Sequence, residues 1–210
     1  MSYLVNLVLD GRPVMVVGGG AVAVRKVHDL LAAGACVTVV APRACEQIQA
    51  LAAAGRVQFN CRAYATGDLE GAFLVVAATG EEVVNARVAE DAGALGILVN
   101  VVDRPALCTF TLPATVRRGD LTLAVATQGR CPALARAICE ELEGRYGPEY
   151  AEVVRMLGEL RNRMRERGWD ARRTRQAITD LYQSGIAGAV RSGEPSRIED
   201  LIRTHLGAGF

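Results

Sequence analysis

The first hundred residues alternate between short apolar runs and segments whose polar positions recur at helical spacing. Five apolar runs predict strands, over residues 13–17, 36–40, 57–64, 73–78 and 97–102. Three intervening segments predict helices, over residues 21–33, 44–54 and 81–94. The strand runs lack a regular polar alternation, which is typical of strands buried on both faces of a parallel sheet with helical crossovers. The pattern therefore predicts an α/β fold.

The pattern changes near Pro105. Beyond it, two apolar stretches within residues 108–127 are joined by the turn-forming letters RRGD. Such a pair, with no helical segment between its members, predicts an antiparallel hairpin. From Pro132 onwards the pattern is helical. The chain thus divides into three predicted parts, residues 1–104, 105–145 and 146–210.

Local signals mark the ends of the helices predicted in the last part of the chain. Pro132 and Pro148 occupy positions typical of a first helical turn. Asp170 and Ser196 are predicted N-caps, because their side-chain oxygens can accept from the first free backbone N–H groups of a helix. The letters ELEGRYG predict that the first of these helices ends on a glycine.

Composition and charge exclude several classes of protein. Half of the 210 residues are hydrophobic and the formal net charge is +1, which is typical of a globular protein and gives no indication of a nucleic-acid partner. We find neither a signal-peptide pattern nor an apolar stretch long enough to cross a bilayer, so we expect a cytoplasmic protein without a membrane contact. The six cysteines lack C-x-x-C spacing, and with only two histidines no metal site is predicted.

Three consecutive glycines follow the first predicted strand and precede the first predicted helix. Gly18, Gly20 and Ala23 have the G-x-G-x-x-A spacing of a dinucleotide-binding turn, in the strand–helix context that this motif requires. In such a turn the first glycine allows the tight bend, and the second allows a diphosphate to approach the backbone at the helix N-terminus. The alternative is a tight strand–helix turn that binds no ligand.

The end of the second predicted strand leaves the choice of dinucleotide open. An acidic residue there would bind the adenosine ribose, but the chain has Pro42 and Arg43 instead. An arginine at this place favours the 2′-phosphate of NADP, although Arg43 can equally be a solvated side chain.

The fourth and fifth predicted strands end in polar residues that belong to the same sheet edge. Thr79 lies where ligands of open α/β sheets bind, although it can also be an N-cap for the following helix. Asn100 and Asp103 come at the end of an otherwise apolar strand. Asp103 is a candidate proton acceptor, and its alternative role is that of an aspartate that caps a turn.

A resemblance to a known family rests on five motifs that occur in order: VGGGAVAVRK, AAT, NVVDRPALCTFTLPA, RRGDLTLAVAT and GRCPALAR. Together they resemble the precorrin-2 dehydrogenases of sirohaem biosynthesis, which include the N-terminal half of bacterial sirohaem synthase. The resemblance implies a Rossmann-like domain, then an antiparallel strand region that forms a homodimer, and a small C-terminal helical domain. It also implies oxidation of precorrin-2 to sirohydrochlorin with NAD rather than NADP.

The resemblance assigns roles to residues of this chain. The cofactor contacts that it implies are the glycine turn, the end of the second strand and the end of the fourth strand, at Gly18, Gly20, Ala21, Val22, Pro42, Arg43 and Thr79. It makes Asp103 the key carboxylate for dehydrogenation. Some members of the family also insert iron into the product, so Fe²⁺ is a candidate second substrate, and nothing in the sequence decides this point.

Precorrin-2 carries many carboxylates, so cationic residues are candidates for binding it. Arg117 and Arg118 of the predicted hairpin, with Asn100, are the expected contacts, and Arg130 is a further candidate. Residues 161–175 hold seven arginines against two acidic residues. Arginine binds carboxylates through paired hydrogen bonds, but a solvated helix face is the favoured explanation of this segment.

Two other functions stay open from the sequence. A regulatory module that senses NAD would share the glycine turn and the parallel sheet, but it would have no use for the NVVD motif followed by a hairpin. A reductase of another pathway is the third candidate, because a fold alone does not determine a substrate.

Overall fold

The computed structural model describes residues 3–210, which form two compact units. The first ends at Leu112 and the second comprises Pro113–Phe210. The segment 105–112 therefore belongs with the first unit, whereas the predicted border lies after residue 104. The further division at residue 145 stays a prediction.

The first unit is a five-stranded sheet connected by helices. Its elements in chain order are β1 (Pro13–Val17), α1 (Ala21–Ala32), β2 (Cys36–Ala41), α2 (Glu46–Ala53), β3 (Gln58–Cys61), β4 (Leu74–Ala77), α3 (Glu82–Leu95) and β5 (Leu98–Val101). The strand order is β3-β2-β1-β4-β5 and every pair is parallel. The predicted Rossmann-like fold is confirmed.

Two apolar clusters cover the two faces of this sheet. Alternate residues of β1 enter different clusters, since Val14 and Val16 pack on one side and Met15 and Val17 on the other. Because both faces of β1 and β4 are buried, their sequences show no polar alternation.

The strand registers bring three strand ends to one level. Val17 of β1 pairs with Ala77 of β4, which in turn pairs with Val101 of β5. In a parallel sheet the residues that follow these strands emerge at the same edge. The glycine turn and the segments after β4 and β5 are therefore neighbours along the carboxyl edge of the sheet.

The second unit joins a strand pair to a group of helices. Its elements are β6 (Ala114–Arg118), β7 (Leu121–Val125), α4 (Pro132–Arg145), α5 (Glu149–Glu166), α6 (Ala171–Gln183), α7 (Ile186–Ser192) and α8 (Pro195–Leu206). Strands β6 and β7 pair antiparallel, so the predicted hairpin is confirmed. The last four helices enclose a core that includes Leu160, Met164, Leu181 and Ile186.

The predicted helix ends are partly right. Asp170 caps α6, where its Oδ1 accepts from the backbone N–H of Arg173 at 2.7 Å. Ser196 is not an N-cap, because α8 begins one residue earlier, at Pro195, with Glu194 before it. Helix α4 ends at Arg145 with Tyr146 as its C-cap, and the glycine predicted to close it, Gly147, follows directly. Pro148 precedes the first turn of α5 instead of lying in it.

No helix within residues 3–210 combines the length and the apolar character that a membrane crossing requires.

Candidate functional site

The glycine turn after β1 is shaped by the protein's own backbone at two of its three glycines. Gly18 is buried with φ +126°, and a Cβ atom there would overlap the carbonyl oxygen of Ala78 after β4. A Cβ atom at Gly19 would overlap the carbonyl oxygen of Arg43 after β2. The two neighbouring segments thus exclude a side chain at Gly18 and Gly19, whether or not a ligand binds.

Gly20 has a different environment, because a Cβ atom there would meet no atom within 4 Å. It is exposed and directly precedes α1, whose N-terminus has no side-chain cap and no acidic residue in its first turn. The first N–H groups of a helix lack acceptors within the helix, and the helix dipole is positive at this end. Gly20, Ala21 and Val22 therefore offer an open site for a diphosphate.

Pro42 and Arg43, at the end of β2, lie beside this turn. Both are exposed, and the loop that they begin is tied to the glycine turn by the backbone N–H of Cys45, which donates to the carbonyl of Gly19 at 2.9 Å. The first carboxylate after β2 is Glu46, in the first turn of α2. The structure thus leaves an arginine beside the place where the ribose of a dinucleotide would bind.

Thr79 is held in place by a buried asparagine that sequence reasoning missed. The Thr79 hydroxyl donates to Oδ1 of Asn85 at 2.8 Å, and Nδ2 of Asn85 donates to the Thr79 carbonyl at 3.1 Å. The same hydroxyl accepts from the N–H of Glu81 at 3.1 Å, but the N-cap of α3 is Glu81 and not Thr79. Asn85 shares the buried face of α3 with Val88 and Ala92, so a polar residue on an apolar helix face was the available signal.

Asp103 follows β5 in a tight turn. The N–H of Arg104 donates to the Val101 carbonyl at 3.2 Å, and Asp103 has φ +59°, in the left-handed region. Asp103 is exposed to solvent. Left-handed non-glycine residues are sparsely populated and collect at functional sites, so this conformation supports a functional role for Asp103.

The sheet registers bring most of the predicted site residues together. Val17, Ala77 and Val101 are aligned across three neighbouring strands, so Gly18, Thr79 and Asp103 all follow the same edge. Neighbouring strands lie about 4.8 Å apart, which puts the backbone after β1 on the order of 10 Å from that after β5. This distance suits a single cleft that holds a cofactor and its substrate.

Asn100 lies within β5 instead of beyond it, and it is buried at 9 % exposure. Its Nδ2 donates to the Phe110 carbonyl at 3.1 Å and lies 3.7 Å from the sulfur of Cys108. The side-chain amide thus connects β5 to the segment 108–110. Its predicted contact with substrate stays a prediction.

Arg117 and Arg118 belong to β6, in the second unit. Arg117 is exposed, whereas the Nε of Arg118 donates to the Tyr146 carbonyl at 3.0 Å and its Nη1 donates to the Arg117 carbonyl at 2.9 Å. The Arg118 guanidinium is therefore partly occupied by its own unit. The role of both residues in substrate binding stays a prediction.

The arginines of residues 161–175 differ from others of the same unit. Within the part of the chain that the structure describes, none of the seven forms an ion pair, whereas four other arginines of this unit do, namely Arg155, Arg191, Arg197 and Arg203. The Arg173 guanidinium lies 3.7 Å from the ring centroid of Trp169. The segment thus presents cationic groups that no carboxylate of residues 3–210 neutralises.

Among residues 3–210, no group of three or more histidine, cysteine, aspartate or glutamate side chains is arranged to hold a metal ion.

Comparisons with known proteins support the dinucleotide site. A family model described as "Putative NAD(P)-binding" matches residues 5–114. A siroheme synthase of Ectopseudomonas mendocina is 41% identical over 198 residues, which are 94% of this chain and 42% of that protein. A siroheme synthase of Pseudomonas aeruginosa is 40% identical over 202 residues, 96% of this chain and 43% of that protein. The chain thus spans less than half the length of these curated relatives.

A solved structure resembles nearly the whole chain. The precorrin-2 dehydrogenase SirC matches with a TM-score of 0.79 and 28% sequence identity, over 97% of this chain and 98% of that one. The family resemblance predicted from the sequence motifs is confirmed by these likenesses.

Proposed function

This chain belongs to the NAD(P)-binding family, and from that premise we propose that it is an NAD-dependent dehydrogenase that oxidises precorrin-2 to sirohydrochlorin. The observation that carries the proposal is the left-handed Asp103 turn on the same sheet edge as the glycine turn. The likeness to SirC, a precorrin-2 dehydrogenase, supports the choice of substrate.

The residues of the first unit fit a dinucleotide. The open helix N-terminus at Gly20, Ala21 and Val22 would bind the diphosphate, Pro42 and Arg43 would border the adenosine, and Thr79 would border the nicotinamide half. Bound NAD⁺ supplies the hydride acceptor for the oxidation. The choice of NAD over NADP rests on the family resemblance, since Arg43 alone would favour NADP.

In the proposed reaction the chain itself orients the macrocycle and removes a proton. Oxidation of precorrin-2 takes away two hydrogens with two electrons, one as a hydride and one as a proton. We assign the proton to the carboxylate of Asp103, which is exposed at the sheet edge and therefore accessible to a substrate. Arg117 and Arg118 are the proposed contacts for the carboxylates of the substrate.

The direct test is to mix the purified chain with precorrin-2 and NAD⁺ and to record the absorbance of sirohydrochlorin and of NADH together. We expect both products to form in equal amounts, and NADP⁺ to be a much poorer substrate. Binding of NAD⁺ by calorimetry without any oxidation would contradict the proposal and would favour a module that senses NAD.

Insertion of Fe²⁺ is a second candidate activity, favoured because the curated relatives are called siroheme synthases. Siroheme is the iron complex of sirohydrochlorin, and the macrocycle nitrogens are the final ligands of the metal. Addition of Fe²⁺ after the oxidation is complete tests it in the same cuvette. Sirohaem formation no faster than without protein would exclude this activity.

We also propose that the chain is a homodimer of the cytoplasm. All six cysteines are unpaired, which agrees with a reducing compartment. Helix α4 packs on the two-stranded β6–β7 sheet, but alternate residues of both strands, such as Thr115 and Ala124, are exposed. A second copy that covers this pair would supply the missing contacts.

A further inference from the structure

The thiol of Cys108 lies inside the turn that carries Asp103. Its sulfur is 3.1 Å from the backbone nitrogen of Val101, which donates to it, and 3.3 Å from the carbonyl oxygens of both Val101 and Arg104. The thiol has one hydrogen to donate, so one of these carbonyls receives it. Residues 101 and 104 are the first and last residues of the turn around Asp103, and the Cys108 sulfur contacts both.

This contact belongs to an unusual covering of the edge of the sheet. Strand β5 is the outermost strand on its side, so the N–H groups on its open edge need other acceptors. Two side chains supply them, since the N–H of Val99 donates to Oγ1 of Thr109 at 2.8 Å and the N–H of Val101 donates to the Cys108 sulfur. Thr109 thus accepts a hydrogen bond from the middle of the strand, whereas Cys108 accepts one from its end, where the turn begins.

The Asp103 turn needs such a support. A left-handed backbone at a residue other than glycine persists only where the surroundings enforce it. Val101 and Val102 pack in the apolar clusters, and within residues 3–210 the other polar side-chain contact of the turn is the ion pair of Arg104 with Glu82 at 2.7 Å, which is solvent-exposed on both sides and therefore weak. The half-buried Cys108, which packs against the apolar cluster of Met15 and Val17, is the more rigid anchor.

We infer that Cys108 is a positioning residue. Its thiol holds the 101–104 turn, so that the Asp103 carboxylate keeps its place at the carboxyl edge of the sheet. The inference rests on the proposed function for its effect on turnover, because Asp103 is the proposed proton acceptor. Its structural part, the restraint of the turn by sulfur, is independent of any activity.

The test compares two variants that each remove one side-chain acceptor from the same strand. In Cys108→Ala, Val101 loses its acceptor at the turn, and in Thr109→Val, Val99 loses its acceptor two residues away. We expect Cys108→Ala to lower kcat at least about tenfold with KM for NAD⁺ within about twofold, since a misplaced catalytic group costs rate more than cofactor binding. Thr109→Val should lower the melting temperature comparably while kcat stays within about twofold of the unmodified chain.

A conservative variant separates the loss of hydrogen bonds from the loss of volume. Cys108→Ser keeps one donor and two acceptor lone pairs, although its oxygen makes shorter bonds than sulfur. We expect it to recover most of the kcat lost in Cys108→Ala. If both Cys108 variants turn over like the unmodified chain, Cys108 does not position Asp103.

Hydrogen exchange of backbone amides gives a readout without substrate. In Cys108→Ala, the amides of Val101 and Arg104 should exchange at least about tenfold faster than in Thr109→Val, because the turn opens locally. Unchanged exchange at Arg104 would overturn the inference even if the unmodified chain oxidised no precorrin-2. An inactive unmodified chain with faster exchange at Arg104 in Cys108→Ala would instead overturn only the proposed function.

Discussion

Single residues of the glycine turn have separable tasks. Gly18 and Gly19 lack side chains because the backbones at Ala78 and Arg43 lie against them, whereas Gly20 faces open space. The sequence motif predicts the tight bend at Gly18 and the diphosphate approach at Gly20, and it assigns no task to Gly19. The structure divides the three glycines into two that let the chain fold and one that leaves room for a dinucleotide.

Alanine substitutions should separate these two tasks. Gly20→Ala should fold with unchanged stability, because its φ of −90° suits any residue and the added methyl meets no protein atom. Its KM for NAD⁺ should rise about tenfold, which corresponds to about 1.4 kcal/mol of binding free energy. Gly19→Ala should instead lose about 1–3 kcal/mol of unfolding free energy through overpacking. Equal effects of both variants on thermal unfolding and on KM would contradict this division.

Asp103 combines a left-handed backbone with a carboxylate, and two substitutions distinguish the contribution of the backbone from that of the carboxylate. Asparagine and alanine both remove the carboxylate, so turnover should fall at least about 10²-fold in each. Asparagine tolerates the left-handed conformation that Asp103 adopts, whereas alanine should lose about 1 kcal/mol of unfolding free energy. Nearly normal turnover of Asp103→Asn would exclude Asp103 as the proton acceptor.

At the scale of elements, the site depends on how the segments after the strands are held. Asn85 of α3 forms hydrogen bonds with Thr79 after β4, and Cys108 contacts the turn after β5. The N-terminus of α1 is held through its glycine turn by the loops after β2 and β4. Each predicted cofactor segment of the first unit is thus positioned by a neighbouring element.

Replacement of Asn85 should affect stability and cofactor binding together. Asn85→Leu leaves polar groups of Thr79 without their partner, so the unfolding free energy should fall by about 1–3 kcal/mol. KM for NAD⁺ should rise severalfold because Thr79 is released. The exposed Glu90→Ala on the same helix is the matched control and should change neither quantity. An unchanged KM in Asn85→Leu would remove Thr79 from the cofactor site.

The loop between β3 and β4 contains an ion pair whose strength depends on pH. Arg62 donates two hydrogen bonds to Asp68, at 2.7 and 2.6 Å, and this holds the pKa of the Asp68 carboxyl below its usual value. The contribution of this ion pair to stability is therefore complete above the usual aspartate pKa, and it is lost as the pH falls through the lowered pKa of Asp68. Between about pH 5 and pH 2 the melting temperature should fall more in the unmodified chain than in Asp68→Asn. Parallel curves would contradict the contribution of this pair.

At the scale of the whole molecule, the second unit shows a strand pair that is covered incompletely. Helix α4 packs on β6 and β7, while Thr115, Arg117, Thr122 and Ala124 of the two strands are exposed. Sheets of two strands are marginal in water unless another element covers them. The proposed dimer would place a second copy on this pair.

Sedimentation tests the dimer. At micromolar concentration the chain should sediment with twice the mass of a monomer. Ala124→Asp adds a charge to the exposed face of β7 and should increase the dissociation constant at least about tenfold, because an unpaired charge is costly to bury. Ala208→Asp, beyond α8, should leave the dimer unchanged. A monomer at all concentrations would contradict the proposal.

The sequence by itself was sufficient for the order and type of the main elements. Repeated strand–helix alternation depends on local periodicity, which the sequence displays directly. All five predicted strands occur. The strand expected over 57–64 is shorter, however, and comprises only Gln58–Cys61. It is shorter because β3 is an edge strand whose register with β2 ends at Cys61. The glycine turn and the polar strand ends were visible for the same local reason, as were the motifs of the family.

Only the tertiary structure decided which neighbours hold these residues in place. The backbones against Gly18 and Gly19, the hold of Asn85 on Thr79 and the thiol beside the Asp103 turn all depend on how separate segments meet in space. The left-handed conformation of Asp103 was likewise visible only in the structure. Periodicity records which face of an element is apolar, but sheet order and register determine what that face and each strand end finally contact.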